Sequence, residues 1–345
     1  MRVVVADPPA FTPPYDHELA AALARAGAEV ELVTSRFRFG AAPAPDGYVR
    51  RELFYPLSSR LFRRSRLRLP LKALEHPVGL ARLARTPADV VHVQWLAAPA
   101  VDLRLLRHRA PLVLTAHDLL PRRTAHKLAL WRRLFDRFER VVVHSERGRT
   151  ALAELGVPAE RLRVIPFPVH RSDPVRRDDG RTVLALGVIR PYKQIEHAAE
   201  AARRAHAKLI VAGDPAAPLP NLDGADLRLG YLSQVELERA LGDSTLAVFP
   251  YRPELDQSGA LLQALGAGLP AVTYDVGGLG ELVARYGAGR VVPPDDVDAL
   301  ATAVEELLDD AAALEQARAG ARRARDELTW DRSAAAHLEL YAELT

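Results

Sequence analysis

The chain of 345 residues contains no cysteine. That excludes disulfides, thiolate-bound zinc and a thiol nucleophile. It also lacks any window of about 18 uncharged apolar residues, so no transmembrane helix is expected. The start, Met1-Arg-Val-Val-Val-Ala6, is without the basic, apolar and small-residue succession of a secretory leader, so the expected address is cytoplasmic. Neither sign of charge dominates: 47 Lys and Arg stand against 44 Asp and Glu. Such a balance does not mark a nucleic-acid binder, and no nucleic-acid partner is expected. Apolar residues at 48% and charged residues at 26% exclude disorder over the whole length. Glycine is missing from one place that matters. The first loop, Asp7-Pro-Pro-Ala-Phe-Thr-Pro-Pro-Tyr15, has four prolines and no glycine. A dinucleotide-binding domain wants G-x-G-x-x-G there, so that the backbone can approach a pyrophosphate. A dehydrogenase is disfavoured.

What is present is an alternation. Short apolar, β-branched runs fall at Arg2–Ala6, Glu29–Thr34, Asp89–Val93, Pro111–Ala116, Arg140–Ser145 and Arg161–Pro166. Helix-like segments separate them, among them Tyr15–Ala26, Ala125–Glu139 and Glu146–Leu155. A second cycle follows at Thr182–Leu186, Lys208–Gly213, Thr245–Pro250 and Ala271–Tyr274, with helices at Ile195–His206 and Ser258–Ala267. Runs that are apolar nearly throughout read as strands covered on both faces, joined by crossover helices. Ser172–Gly180, rich in Asp and Arg, reads as a polar linker. The expected fold class is α/β, with two doubly wound, Rossmann-like domains over residues 1–170 and 181–329 facing across a cleft. Open sheets of this kind bind ligands at the carboxyl ends of their strands.

Several constellations sit at such ends. In the first loop, Thr12, Tyr15 and Asp16 are candidates for the wall of an acceptor pocket, the plain alternative being a rigid connector. His117 closes the run Leu114-Thr-Ala-His-Asp118, where it is placed for hydrogen bonding or proton transfer. Asp118 could orient it, and a purely structural histidine is the alternative. Gly187 in Ala185-Leu-Gly-Val-Ile-Arg-Pro-Tyr-Lys193 allows a tight strand exit. Arg190 and Lys193 then offer a planar fork and a point charge, a pair suited to a diphosphate. Gln257, Ser258 and Gly259 lie at a helix start, where free N–H groups and the positive dipole end favour phosphate. Gln263, one turn on, could reach a ribose hydroxyl. Val276-Gly-Gly-Leu-Gly-Glu281 repeats the glycine-then-helix arrangement. Between Arg50 and Arg85 ten Arg and Lys meet only Glu52 and Glu75, interleaved with large apolar residues. That mixture suits an anionic membrane surface, or else a solvated basic excursion.

In this order and spacing, Leu114–Asp118, His144–Val169, Gly187–Lys193, Leu255–Glu281 and the helix from Trp330 resemble the GT-B-type glycosyltransferases of family 4 (group 1), retaining enzymes that use nucleotide sugars. The resemblance covers nearly the whole chain. It implies that the second domain binds a nucleotide-diphospho-sugar, with Arg190 and Lys193 on the diphosphate and the Ser258 and Gly259 N–H groups cradling it. It further implies Tyr231 and Leu232 facing the base, Gln263 at the ribose, Glu281 at the donor, and His117 reaching the transferred sugar. The terminal helix, residues 330–345, would pack back on the first domain. No metal and no other cofactor is implied, because cations and the helix dipole serve in the metal's stead. The family's pair of Glu residues, eight positions apart, falls here on Leu255 and Gln263, with Glu254 and Asp256 flanking the first place. Gln194 stands where Gly usually follows the Lys, and Val188 where Arg is common. Without a placed carboxylate nucleophile, front-face attack is implied, a diphosphate oxygen taking the acceptor's proton. The acceptor would be lipid-linked or a polysaccharide, reached by a cytoplasmic enzyme peripheral to the inner face of the membrane. A non-catalytic relative that binds nucleotide sugars and a nucleotide-sugar epimerase stay open as alternatives.

Overall fold

The computed structural model describes residues 1–38, 42–61, 65–121, 124–252 and 257–345. The chain divides into two compact units, residues 1–144, 149–166 and 330–345, and residues 145–148 and 167–329. In the first unit the strands are β1 (Arg2–Asp7), β2 (Glu29–Ser35), β3 (Val49–Phe54), β4 (Val90–Val93), β5 (Leu112–Thr115), β6 (Arg140–Val143) and β7 (Leu162–Val164). The helices between them are α1 (Pro13–Arg25), α2 (Arg68–Leu83), α3 (Pro99–Leu105), α4 (Leu128–Phe135) and α5 (Glu146–Glu154). The second unit holds β8 (Thr182–Leu186), β9 (Lys208–Gly213), β10 (Asp226–Leu229), β11 (Leu246–Phe249), β12 (Ala271–Tyr274) and β13 (Gly289–Val292). Its helices are α6 (Ile195–Arg204), α7 (Gln234–Gly242), α8 (Gly259–Gly266), α9 (Gly277–Tyr286), α10 (Val297–Asp309) and α11 (Ala311–Glu327). The terminal α12 (Trp330–Ala342) belongs to the first unit and packs on α1.

Both sheets are parallel, and their orders are β3-β2-β1-β4-β5-β6-β7 and β10-β9-β8-β11-β12-β13. The expected α/β architecture of two doubly wound sheets is what the chain adopts. Interior strands are apolar end to end because helices cover both faces: Val3–Asp7 of β1 and Leu246–Phe249 of β11 are buried throughout. Each such Leu or Phe stabilises the fold by about 2 kcal/mol relative to leaving it in water. In each sheet the chain winds outward one way, then crosses back to start the other half. The reversal falls between β1 and β4 and between β8 and β11. Crossover helices leave in opposite directions there, and a crevice opens at the strands' carboxyl ends. Loops from those four strands, together with those after β5, β10 and β12, carry the candidate residues.

Three strands escape the apolar-run criterion: β3 (Val-Arg-Arg-Glu-Leu-Phe), β10 (Asp-Leu-Arg-Leu) and β13 (Gly-Arg-Val-Val). All three are sheet edges. An edge strand has one side open to water, so charged side chains there cost little and guard against further pairing. Residues 172–180, read as a linker, are held against the second unit: Arg177 N–H donates to the Gly242 carbonyl at 2.8 Å. Among the described residues no helix is long and apolar enough to cross a membrane.

Glycine at 213 is a requirement of the sheet. Its φ is +146°, and a Cβ there would stand 2.2 Å from the Gly187 carbonyl oxygen. Gly213→Ala is expected to destabilise by about 2–4 kcal/mol, from clash plus backbone strain. Gly224, at φ +81° with nothing within 4 Å of its Cβ position, should lose only about 1 kcal/mol as Ala. Urea denaturation of the two variants checks this; equal losses would remove the close-approach argument.

Candidate functional site

In the second unit a cation is buried at the end of β8. Gly187 turns the chain out of the strand at φ +95°. A Cβ on it would lie 2.8 Å from Lys193 Nζ and 3.1 Å from Ala260 Cβ. Strand end, lysine and the first turn of α8 thus meet at one point, and only a glycine leaves room. Lys193 Nζ donates to the Leu186 carbonyl at 3.0 Å and stands 5.0 Å from the centre of the Tyr251 ring. Leu186, Ile189, Ile195, Val248, Pro250 and Tyr251 line the pocket around it. Burial pulls the lysine down to about 8, and the charge of Arg190 pushes the same way. An anion bound there would do the opposite. Arg190 itself is exposed.

The turn Pro191–Lys193 presents the lysine, and Gln194 after it is left-handed at φ 45°. That conformation favours glycine. The glutamine side chain is held in place by donating to Asp295 at 2.6 Å. Across the pocket, Ser258 caps α8: its Oγ accepts the Leu261 N–H at 3.3 Å. The N–H groups of Gly259 and Ala260, in the first turn, have no carbonyl within the helix to bond to. Among the described residues nothing lies within 4 Å of where a Cβ on Gly259 would be. Gln257 and Gln263 are half-buried on either side of this start. Tyr251, which the sequence reading did not single out, covers the cation: its ring centre stands 5.0 Å from Lys193 Nζ. The signal was its position just past a buried strand, β11.

Other expected donor residues lie apart from this group. Tyr231 is 87% exposed on the loop before α7, while Leu232 packs onto the core. The carboxylate of Glu281 is occupied, accepting the backbone N–H groups of Glu146 and Arg147 at 2.9 and 3.0 Å. Glu254, Leu255 and Asp256 lie outside the described residues, as do Arg63 and Arg64 of the basic stretch.

In the first unit the proline-rich loop closes on Asp7, whose Oδ2 accepts the N–H groups of Phe11 and Thr12 at 2.7 and 3.2 Å. The expectation that Asp16 lines a pocket is corrected: it is buried against Asp7. Burial raises both carboxyls, that of Asp16 furthest, with the charge of Asp7 adding to it. Two carboxylates cannot both ionise in such a place, so Asp16 keeps its proton and shares it with Asp7. Tyr15 is also buried, its ring edge-on to His117 at 4.7 Å. Thr12 stays half-buried and accepts from Trp95 Nε1 at 2.8 Å. Asp118 is half-buried beside His117.

His117 is the best-held residue of this unit. Trp95 stacks on it at 5.1 Å and 16°, Gln94 meets its Nε2 at 3.0 Å, and His144 meets its Nδ1 at 3.3 Å. Behind it His92 bridges Tyr341 and Thr115 at 2.6 and 2.7 Å, and His337 bonds to the Ser333 carbonyl at 2.8 Å. Burial holds His92, His144 and His337 neutral, with His144 and His337 down at about 4, and desolvation lowers half-buried His117 in the same direction. Trp95 and Gln94 were not legible as site residues, since β4 ends in them without any turn or charge signal.

Helix α2 carries a surface of another kind. Its inner face packs His76, Leu80 and Leu83 inward. Glu75 is spent on the Leu57 and Ser58 N–H groups. The outer face shows Leu67, Leu74 and Val78 at 71, 73 and 51% exposure, with Leu57 and Leu69 beside it and Arg60, Arg66, Arg82 and Arg85 around it.

Comparison with known proteins places both halves. The model of Glycosyltransferase Family 4 matches residues 15–173, and that of Glycosyl transferases group 1 matches residues 180–310. The chain is 25% identical to the D-inositol 3-phosphate glycosyltransferase of Jonesia denitrificans, over 95% of this chain and 89% of that one. Longer curated relatives at 33% and 40% identity are matched over only 21% and 27% of their own length. Sucrose-phosphate synthase from Thermosynechococcus elongatus superposes with a TM-score of 0.76 at 20% identity, covering 100% of this chain and 99% of that one. The Anabaena protein HepE in complex with UDP gives 0.70 at 17%, covering 100% of both. These two structures share the fold.

The buried histidines make an acid limit. Unfolded, each titrates near its ordinary 6.5, while the native forms stay neutral well below it. Below pH about 6.5 the unfolded chain binds more protons, so stability falls with pH by up to about 1.4 kcal/mol per unit for each histidine. The Asp7–Asp16 pair, raised in the fold, acts in the opposite sense through the one proton it keeps, against four histidines. Denaturant midpoints should drop steeply from pH 7 to pH 5. A flat profile would mean that these histidines are not buried neutral.

Proposed function

Because the chain belongs to the family 4, group 1 glycosyltransferases, we propose that it moves a sugar from a nucleotide-diphospho-sugar to an acceptor hydroxyl, with retention and without a metal. The observation that carries this is the convergence of Gly187, Lys193 and the start of α8 on one point. A desolvated ammonium that bonds the Leu186 carbonyl, beside the N–H groups of the α8 first turn, fits the oxygens of a diphosphate. HepE, of the same fold, binds UDP. The second unit is the donor side, Arg190 and Lys193 taking the charge that develops on the leaving diphosphate. Gln257, Ser258, Gly259 and Gln263 surround the nucleotide, with Tyr231, Leu232 and Glu281 farther out on that side. In the first unit His117 serves a hydroxyl of the transferred sugar, and Thr12, Tyr15 and Asp118 border the acceptor. The acceptor oxygen attacks the anomeric carbon from the face that the diphosphate leaves. The C–O bond to the diphosphate breaks, and a diphosphate oxygen takes the acceptor's proton.

Lys193→Ala is expected to cut transfer at least about a hundredfold, about 3 kcal/mol in the barrier. The melting temperature should hold or rise, because a costly buried charge is gone. Radiolabelled transfer and a thermal melt check it, and a fully active variant would end the assignment. Stabilisation by UDP, GDP, ADP or TDP identifies the donor nucleotide by mass action. Binding without any transfer would favour a non-catalytic relative, the reading that Gln263 in place of a carboxylate supports.

The acceptor side points to a lipid-linked substrate at an anionic membrane. The support is the outer face of α2, where Leu67, Leu74 and Val78 are exposed amid arginines. Apolar side chains can enter the acyl boundary while guanidinium groups meet lipid phosphates. Flotation is expected with vesicles containing phosphatidylglycerol, weaker with phosphatidylcholine alone, and lost in Leu74→Ser/Val78→Ser. A chain that never floats would indicate a soluble acceptor such as a polysaccharide.

A further inference from the structure

We propose that His144 sets the tautomer of His117, so that His117 turns the lone pair of Nε2 toward Gln94 and toward a ligand hydroxyl that takes the place of the Gln94 amide. The assignment starts from an atom with no choice. The Ile165 carbonyl oxygen can only accept, and it lies 2.9 Å from His144 Nδ1. That nitrogen therefore carries the hydrogen. A neutral imidazole has one N–H, and burial keeps His144 neutral, so its Nε2 is a lone pair. It faces His117 Nδ1 at 3.3 Å, which must donate. His117 is half-buried under Trp95, and desolvation with neighbouring His144 disfavours its charged form, so it is left with Nε2 as an acceptor, 3.0 Å from the end of the Gln94 side chain. The Gln94 atom placed at that distance is Oε1, and a half-turn of the amide, which exchanges its oxygen and nitrogen, presents the NH2 group to the lone pair. With Oε1 there instead, two lone pairs would oppose each other and the amide nitrogen would be buried without a partner.

One backbone carbonyl thus determines the hydrogen-bonding sense of three side chains. Trp95 on the face of His117 and Tyr15 at its edge keep the ring from turning over and exchanging its nitrogens. The consequence for catalysis rests on the reading of His117 as the sugar-contacting residue: His117 would accept from a sugar hydroxyl, not donate to it. His144 never touches substrate and is a positioning residue.

The test is a two-bond ¹H–¹⁵N correlation spectrum of the full chain labelled with ¹⁵N-histidine at pH 7.5. His117 is assigned by the signal lost in His117→Asn. The expected pattern is a protonated Nδ1 with a bare Nε2, reverting to the common Nε2–H form in His144→Phe, which keeps the ring packing and removes the hydrogen bonds. In the same variant kcat should fall about tenfold with KM for the donor within about twofold. An Nε2–H or doubly protonated His117 in the wild type overturns the proposal, and that spectrum decides even if His144→Phe does not fold. A pattern unmoved in a folded His144→Phe overturns it as well. Absence of any transfer activity, with the expected spectrum, would overturn the transferase reading and leave the tautomer assignment standing.

Discussion

An ammonium group held out of water, with the Leu186 carbonyl as its hydrogen-bond acceptor among the described residues, is the constraint around which the second unit is arranged. Lys193 is drawn down to about 8 by burial, a sign that its charge is under-compensated. Each neighbour follows from that position. Glycine at 187 leaves space for Nζ, the Tyr251 ring covers it, and α8 begins beside it with a serine cap and no acidic residue in its first turn. A carboxylate there would satisfy the lysine internally. Among the described residues no carboxylate takes that place, and the positive end suits an anionic ligand.

The first unit follows a different rule. Around His117 its interior is built of uncharged donors and acceptors, histidines held unprotonated, while Asp7 and Asp16 share one proton to one side. Neutral donors and acceptors with defined orientation recognise hydroxyl groups by direction, where charged ones would act mainly by attraction. Aromatic rings fix that direction. Phe11, Trp95, Tyr15 and Trp330 pack around His117 in a chain of ring contacts. Residues 7, 95, 117, 144 and 330 come from five places in the chain. Only the parallel sheet, with its carboxyl ends side by side, assembles them.

Legibility varied with physical environment. Interior strands were readable because burial on both faces leaves no room for polar residues. Edges were not, because water pays for the charges of Arg50, Arg51 and Glu52 in β3. Glycine and cations at a strand exit, as at Gly187 and Lys193, are local signals and could be read locally. The stacking of Trp95 on His117, the cover of Tyr251 and the pairing of Asp7 with Asp16 are contacts between segments, and no window of sequence contains them. Asp16 shows the hazard. Its place one residue after Tyr15 at a helix start suggested a ligand-facing carboxylate, and the helix phase buried it instead.

Taken alone, the order of residues determined the α/β class, the two cycles, the absence of thiol chemistry and the candidate diphosphate-binding residues. Those properties depend on composition, period and nearest neighbours, which chain order carries directly. The tertiary structure alone decided which side chains are charged, which nitrogen of each histidine bears its hydrogen, and which carboxylates are already spent. Protonation and hydrogen-bonding sense depend on desolvation and on partners tens of residues away, and those exist only once the sheets have formed.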